Sequence, residues 1–340
     1  MISFEWMRPR SPEQAARAAT ATVSQAMTRP AGAPATDAAV LKAGGIDLLD
    51  LMKEGLLTPR RIIDVRAIAG LDRIEPANGG LRIGPNVTLA RLAADEQVRT
   101  GYRALADAAR ASASPQIRHV ATLGGNLLQR PRCWYFRSRA HHCARKGGTA
   151  CFAFAGENAY HAIFDHNGCA IVHPSTCATA LVALDAAVEL IGPAGPARSV
   201  RLEDFFRLPQ DDLYNETDLR PGELITAVVL PPQPRTARSI HVKCAASESF
   251  DWPLADVAAV LDLNGRVCRD ATIVLGAAAP VPHRAKAAEA ALRGKAIDDV
   301  LARVAADAAV QGAVALSMNA YKLPIFAALV RRTLLALVNS

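Results

Sequence analysis

Residues 39–53, AVLKAGGIDLLDLMK, decide how this chain is read. Ala39–Leu41 is apolar like a short strand, Gly44-Gly45 interrupts it, and Leu48–Met52 resumes at helical spacing. Strand, glycine turn and helix in that order let backbone N–H groups come close to a phosphate, and a helix N-terminus adds partial positive charge there. A Gly-Gly pair also makes an ordinary turn. The pattern is not G-x-G-x-x-G, so it gives no Rossmann fingerprint. About 80 residues later a second glycine segment follows, ATLGGN at 121–126. Two backbone nests flanked by the Thr122 hydroxyl and the Asn126 amide would grip a pyrophosphate from both sides; two unrelated turns are the alternative.

Around these segments the chain alternates short strands and helices. A helix is expected over 12–28, strands at Arg61–Val65 and Leu81–Gly84, and helices at Leu89–Val98 and Tyr102–Ser112. Residues 129–168 are polar, basic and aromatic without a period, so they read as an insertion lacking elements of its own. Beyond it come a strand-like Cys169–Val172, a helix at Pro174–Leu184, and strands Ala187–Ile191 and Leu224–Leu230. Pro231, Pro232 and Pro234 mark a boundary. Past them, Ser239–Ala246 and Arg269–Ala277 read as strands, Asp256–Leu263 as strand or helix, and 284–292, 297–309 and 324–338 as helices. The fold class is α+β. Over 340 residues, 51% hydrophobic and 21% charged, that is globular rather than disordered. No apolar run is long enough to span a bilayer. A net charge of +7 with 5% aromatics gives no argument for nucleic acid.

KAGGIDLLDLMK at 42–53, QIRHVATLGGNLLQ at 116–129 and LRPGELITAVVLPP at 219–232 together resemble the FAD-binding subunit of the molybdenum hydroxylases, the xanthine dehydrogenase family. The resemblance implies a PCMH-like FAD-binding domain of two subdomains, residues 1–57 and 58–232, and a C-terminal α+β domain at 236–340 with a small antiparallel sheet and helices. It places Lys42, Ala43, Gly44, Gly45, Ile46, Asp47 and Leu48 in the flavin loop, with Gly44, Gly45 and Ile46 on the pyrophosphate. Thr122, Gly124, Gly125 and Asn126 form the second loop, and Ser175, Thr176, Ile225 and Lys243 complete the cofactor set. Two positions depart from the family pattern: Ile46 stands where Thr is common, and Thr176 where Asp is usual.

Five of the seven cysteines fall within 133–177. A chain of this size needs no disulfide staples, so the clustering points to metal or redox chemistry. Cys133, Cys143, Cys151 and Cys169 supply the four thiolates that an iron–sulfur cube or a tetrahedral zinc requires. Buried free cysteines are the plain alternative, and zinc would order the same loop. Cys177, the reserve for the fourth ligand, lies at helical spacing with Leu181 and Leu184 and reads as core. The flanks CWYF at 133–136 and CAIVHPS at 169–175 resemble the flavin subunit of periplasmic aldehyde oxidase, which implies a [4Fe-4S] cluster in an insertion at about 129–170. Arg130, Arg132, Arg137, Arg139, Arg145 and Lys146 make this insertion basic, either to tune a cluster or as a solvated or subunit-facing surface. Trp134, Tyr135 and Phe136 would shield the cluster or anchor an interface. His141 and His142 read as exposed loop histidines.

No Ser-His-Asp set, HExxH or P-loop is present, so no catalytic residue is expected in this chain. The resemblance implies an oxidoreductase subunit of an aldehyde-oxidising complex. Its partners would be a large molybdenum-cofactor subunit and a small subunit with two [2Fe-2S] clusters, whose electrons pass through FAD to an external acceptor. A 4-hydroxybenzoyl-CoA reductase-type flavin subunit and a zinc-ordered, flavin-free assembly subunit are the alternatives. The N-terminal residues have no apolar h-region, so the expected location is the periplasm, by folded co-export with a Tat-tagged partner, or otherwise the cytoplasm.

Overall fold

The computed structural model describes residues 3–27, 37–193, 195–247 and 250–339. Its strands form three sheets. The first is parallel and contains Glu5–Met7 (β1), Ala39–Lys42 (β2) and Arg61–Asp64 (β3), with β3 in the middle. Parallel neighbours need a crossover. Between β2 and β3 that crossover is the glycine turn and the helix Ile46–Lys53, which sets Gly44-Gly45 at the carboxyl end of β2.

The second sheet comprises Ile74–Ala77 (β4), Gly80–Ile83 (β5), Ala187–Ile191 (β6), Arg198–Arg201 (β7) and Leu224–Leu230 (β8). It is antiparallel in the order β4-β5-β8-β6-β7. Ile83, Val188, Leu190, Val228 and Leu230 on its buried face share a core with the helices Leu89–Ala94, Arg103–Ala111 and Thr176–Ala183. The third sheet, also antiparallel, contains Ala237–Ala245 (β9), Pro253–Asn264 (β10), Val267–Gly276 (β11) and His283–Arg284 (β12). One of its faces meets the helices Lys286–Leu292, Asp299–Ala309 and Lys322–Asn339. The other contributes Ala258 and Val274 to the core of the second sheet. With both faces covered, β10 is a nearly unbroken apolar run, which is why its sequence reads as strand or helix alike.

Local chemistry overrides several expected elements. The helix expected over 12–28 breaks into Pro12–Ala18 and Val23–Met27, and Thr28 lies outside the described residues. The break belongs to two threonines. Thr20 exchanges hydrogen bonds with the Ala39 backbone, and Thr22 Oγ1 accepts from Gln25 N at 3.2 Å as a cap. Leu89–Val98 divides at Asp95, which caps a new helix through Val98 N. Cys169–Val172 is irregular and not a strand. The second glycine segment is the short helix Leu123–Leu127 rather than a turn, capped by Thr122 Oγ1 on Gly125 N at 3.3 Å.

The insertion has elements after all: a helical turn at Trp134–Arg137 and 3-10 turns at Ala144–Lys146 and Phe152–Phe154. It is also stapled to the third sheet's domain. Ile163 N and Phe164 N donate to Ala278 O, and the fully buried Lys322 ammonium donates to His161 O and Ala277 O. Among the described residues no helix is long and apolar enough to cross a membrane.

Candidate functional site

The two glycine segments meet. A Cβ on Gly44 would lie 2.3 Å from Val120 O, just ahead of the Thr122 cap, and one on Gly124 would lie 2.8 Å from Pro85 Cβ. Only glycine lets these backbones approach so closely. Gly45, at φ +84°, is the left-handed N-cap of Ile46–Lys53. Around this junction opens a cleft of about 520 Å3, within the ~300–1,000 Å3 range of ligand pockets.

Of the cofactor residues named from the sequence, Lys42, Ala43, Gly44, Gly45, Ile46, Asp47, Leu48, Thr122, Gly124, Gly125, Asn126, Thr176, Ile225 and Lys243 all line this cleft. Ser175 lies behind it. Its hydroxyl donates to Asn126 Oδ1 at 2.6 Å and caps the helix Thr176–Ala183 through Ala178 N, so it orients the amide. Several of the lining side chains are committed to the protein. Lys42 Nζ donates to Asp64 at 3.3 Å and to Ala43 O. Burial lowers the Lys42 pKa, partly opposed by the Asp64 charge. The Thr176 hydroxyl, where the family pattern has a carboxylate, is hydrogen-bonded to Ser112 Oγ at 2.6 Å. Lys243 Nζ donates to Ala111 O and Asp251 O.

The sequence reading missed Asn86, Arg130, Glu216 and Trp252 in the cleft wall. Asn86 Oδ1 and the three guanidinium nitrogens of Arg130 are buried without a hydrogen-bond partner. Such orphans mark a wall that still has polar capacity for a ligand. No sequence signal distinguishes these residues, because their role depends on partners far along the chain. The glycine cradle and the orphaned polar atoms together fit a dinucleotide.

Cys133, Cys143, Cys151 and Cys169 face one small cavity of about 10 Å3, closed by Tyr135, Phe136 and His161. Trp134 remains partly exposed and packs edge-on against Tyr160 and His161. The histidine at the thiols is therefore His161, whose Nε2 is 3.2 Å from Cys133 Sγ, rather than His141 or His142. Burial pushes Cys133 up to about 12 and raises Cys143. Cys169 is shifted the other way, lowered because the Cys151 thiol donates to its sulfur and the Arg145 guanidinium stands beside it, while the same bond raises Cys151. Among the described residues no three His, Cys, Asp or Glu side chains are grouped so as to hold a single ion. Four soft thiolate donors are the number that an iron–sulfur cube requires. Cys177 is fully buried in the core with Leu181 and Leu184.

Of the insertion's cations, Arg130, Arg145 and Lys146 are buried, Arg132 and Arg137 are half-buried, and Arg139 is exposed. Arg132 and Arg137 clamp Asp47 Oδ1 at 2.9 and 2.6 Å and Asp50 Oδ2 at 3.4 and 3.2 Å. Arg130 N donates to Asp47 Oδ2 at 2.8 Å. Both Asp47 oxygens thus anchor the insertion to the helix that follows the glycine turn.

A glycine-cradled cleft between a small parallel sheet and an antiparallel one, followed by a sheet-and-helix domain, defines a dinucleotide-binding flavoprotein. The family comparisons agree. Residues 2–233 match the FAD binding domain in molybdopterin dehydrogenase, and residues 241–337 match the CO dehydrogenase flavoprotein C-terminal domain. The chain belongs to the FAD-binding medium subunits of the molybdenum hydroxylases, the xanthine dehydrogenase family, and is an oxidoreductase subunit. It is 44% identical to the aldehyde oxidoreductase FAD-binding subunit PaoB of Escherichia coli K12 over 74% of this chain and 78% of that one. It is 29% identical to the putative xanthine dehydrogenase FAD-binding subunit XdhB of the same organism, over 74% and 70%. Among solved structures, carbon monoxide dehydrogenase of Hydrogenophaga pseudoflava superimposes with a TM-score of 0.73 at 25% identity, covering 99% of this chain and 98% of that one.

Proposed function

We propose that this chain is the electron-transfer subunit of an aldehyde-oxidising molybdenum hydroxylase, holding FAD in the cleft and a [4Fe-4S] cluster at Cys133, Cys143, Cys151 and Cys169. Its partners are a large molybdenum-cofactor subunit and a small [2Fe-2S] subunit, and an external acceptor takes the electrons. The observation that carries this reading is the convergence of four thiols from a 37-residue span on one cavity. The 44% identity to an aldehyde oxidoreductase subunit supports the substrate class. Membership of an FAD-binding family weighs against the flavin-free zinc alternative.

When bound, the cofactors supply the electron chemistry, and the protein supplies position and electrostatics. Gly44 and Gly45 keep side chains away from the phosphates, while Asn126, held by Ser175, offers its amide to them. Ile225, buried on β8, gives the cleft an apolar wall. Lys243 is fixed by two carbonyls and presents a positive charge. At the thiols, burial raises Cys133 and Cys143 and the hydrogen bond to Cys169 raises Cys151, so metal loading there must displace protons from all three.

The test is flavin, iron and zinc quantification on the anaerobically purified complex, wild type and Cys133→Ser. One FAD and about four irons beyond those of the small subunit are expected, with the extra iron lost in the variant and the flavin kept. Flavin with zinc, or flavin with no extra metal, refutes the cluster.

A further inference from the structure

One buried charge triad joins the two sites. Glu216 lines the flavin cleft and Arg145 lines the thiol cavity, and the two form an ion pair at 2.7 Å. The Arg145 Nε lies 3.5 Å from Cys169 Sγ. On its other oxygen, Glu216 faces Arg130 Nε at 3.3 Å and receives the Ser24 hydroxyl at 3.4 Å. The Arg130 guanidinium stands 4.9 Å over the ring of Phe136, a wall residue of the thiol cavity.

Both arginines are buried, with 1% and 2% exposure, and one carboxylate serves them both. Asp47 also acts on Arg130, but it is shared with Arg132 and Arg137. Arg145 Nη2 and all three Arg130 nitrogens are without hydrogen-bond partners. Two buried guanidiniums sharing one carboxylate leave surplus positive charge, which calls for negative charge on either side: thiolates at one end, a cofactor at the other.

We propose that the Arg145–Glu216–Arg130 triad is a positioning device that raises the reduction potentials of both the thiol-held metal group and the flavin, its surplus charge stabilising the electron each receives. This rests on the cluster reading above. Within about 10 Å and at an effective dielectric of about 20, a unit charge changes a one-electron equilibrium more than tenfold, equivalent to about 59 mV or more.

The test is spectroscopic potentiometry of the assembled complex, following the flavin by absorption and the metal group by EPR. Glu216→Gln is expected to raise both potentials by at least that amount. Arg145→Gln should lower that of the metal group by as much, and Arg145→Lys should return it most of the way. Wild-type complex with no iron beyond the small subunit overturns the triad together with the cluster reading. Full iron and flavin content with unshifted potentials in Glu216→Gln overturns the triad alone, whether or not the Arg145→Gln protein folds. Shifts of the same sign in Glu216→Gln and Arg145→Gln overturn it equally, since a merely structural perturbation has no reason to follow charge.

Discussion

Gly44→Ala is the sharpest perturbation of the cleft. The added Cβ would sit 2.3 Å from Val120 O and 3.2 Å from both Val120 C and Ala121 Cα, all backbone atoms that no rotamer change can move. Reaching ordinary contact requires the two glycine segments to part by about 1 Å. Ala121 is held in place, with its N–H on Ile117 O at 2.7 Å and its carbonyl accepting from Leu89 N at 2.9 Å, so the strain is not relieved locally. Overpacking of this kind costs about 1–3 kcal/mol of stability. The effect on flavin is larger, because donors displaced by about 1 Å lose hydrogen bonds to charged phosphates worth about 1.5–3 kcal/mol each. Loss of one such bond weakens FAD binding about 10- to 150-fold. Gly45→Ala provides a graded comparison: its φ of +84° strains a side chain by about 1–2 kcal/mol, but the Cβ meets side chains rather than backbone, Lys42 Cε at 2.8 Å and Leu49 Cδ1 at 3.4 Å. Gly101→Ala, with nothing within 4 Å, is the neutral control. The assay is flavin occupancy after gel filtration, with FAD affinity from fluorescence titration and a thermal melt on each variant. A Gly44→Ala protein that binds FAD within twofold of wild type would refute the reasoning, because the backbone contact would then not set the shape of the cleft.

Two further predictions concern buried titratable groups. Burial pushes His173 down to about 3, well below the ~6.5 of the unfolded chain. Between those values the unfolded chain binds a proton that the folded chain refuses, so stability is intact above pH 6.5 and falls by up to about 1.4 kcal/mol per pH unit below it. Urea denaturation at pH 7, 6 and 5 should show a shallower acid slope for His173→Phe than for wild type, and identical slopes would contradict this. Burial likewise pushes Cys177 up to about 12 and Cys268 up to about 11. Native protein treated with iodoacetamide at pH 8 should leave both unlabelled by mass spectrometry until denaturant is added. Labelling at the rate of a free thiol would show that the core opens there.

What the sequence made legible was whatever rests on a backbone requirement. Gly44, Gly45 and Gly124 stand where side chains cannot fit, and their flanks alone bring the two halves of the cleft to notice. β5, β6 and β8 announce themselves by apolar pattern, since one face of each strand decides its fate. Less was readable where the competition is local and subtle, as at Thr20 and Thr22, whose hydroxyls divide a plausible helix. Least readable of all was the direction in which charges face. Arg130, Arg132, Arg137 and Arg145 look like a solvated basic loop because their partners Asp47, Asp50 and Glu216 lie 71 to 90 residues away. A single sequence carries no signal for pairings at that range. His161 escaped notice for the same reason: only the fold brings it to Cys133.

Those distant pairs explain why the two sites cannot be positioned independently. The helix Ile46–Lys53 begins at the glycine cradle and, one residue into its first turn, presents Asp47 to the insertion, with Asp50 following on the same side. Arg132 and Arg137, which grip those carboxylates, bracket Cys133, while Phe136 and Cys143 pack in the core of the first sheet alongside Leu48, Leu51 and Met52. On its far side the same insertion is tied to the third domain by Ile163, Asn319 and Lys322. A shift of the insertion therefore drags the helix whose N-terminus caps the flavin cleft, and a shift of that helix drags the thiols. The helix Ile46–Lys53 thus couples the glycine-cradled cleft to the cysteine insertion, and the insertion in turn is braced against the C-terminal sheet.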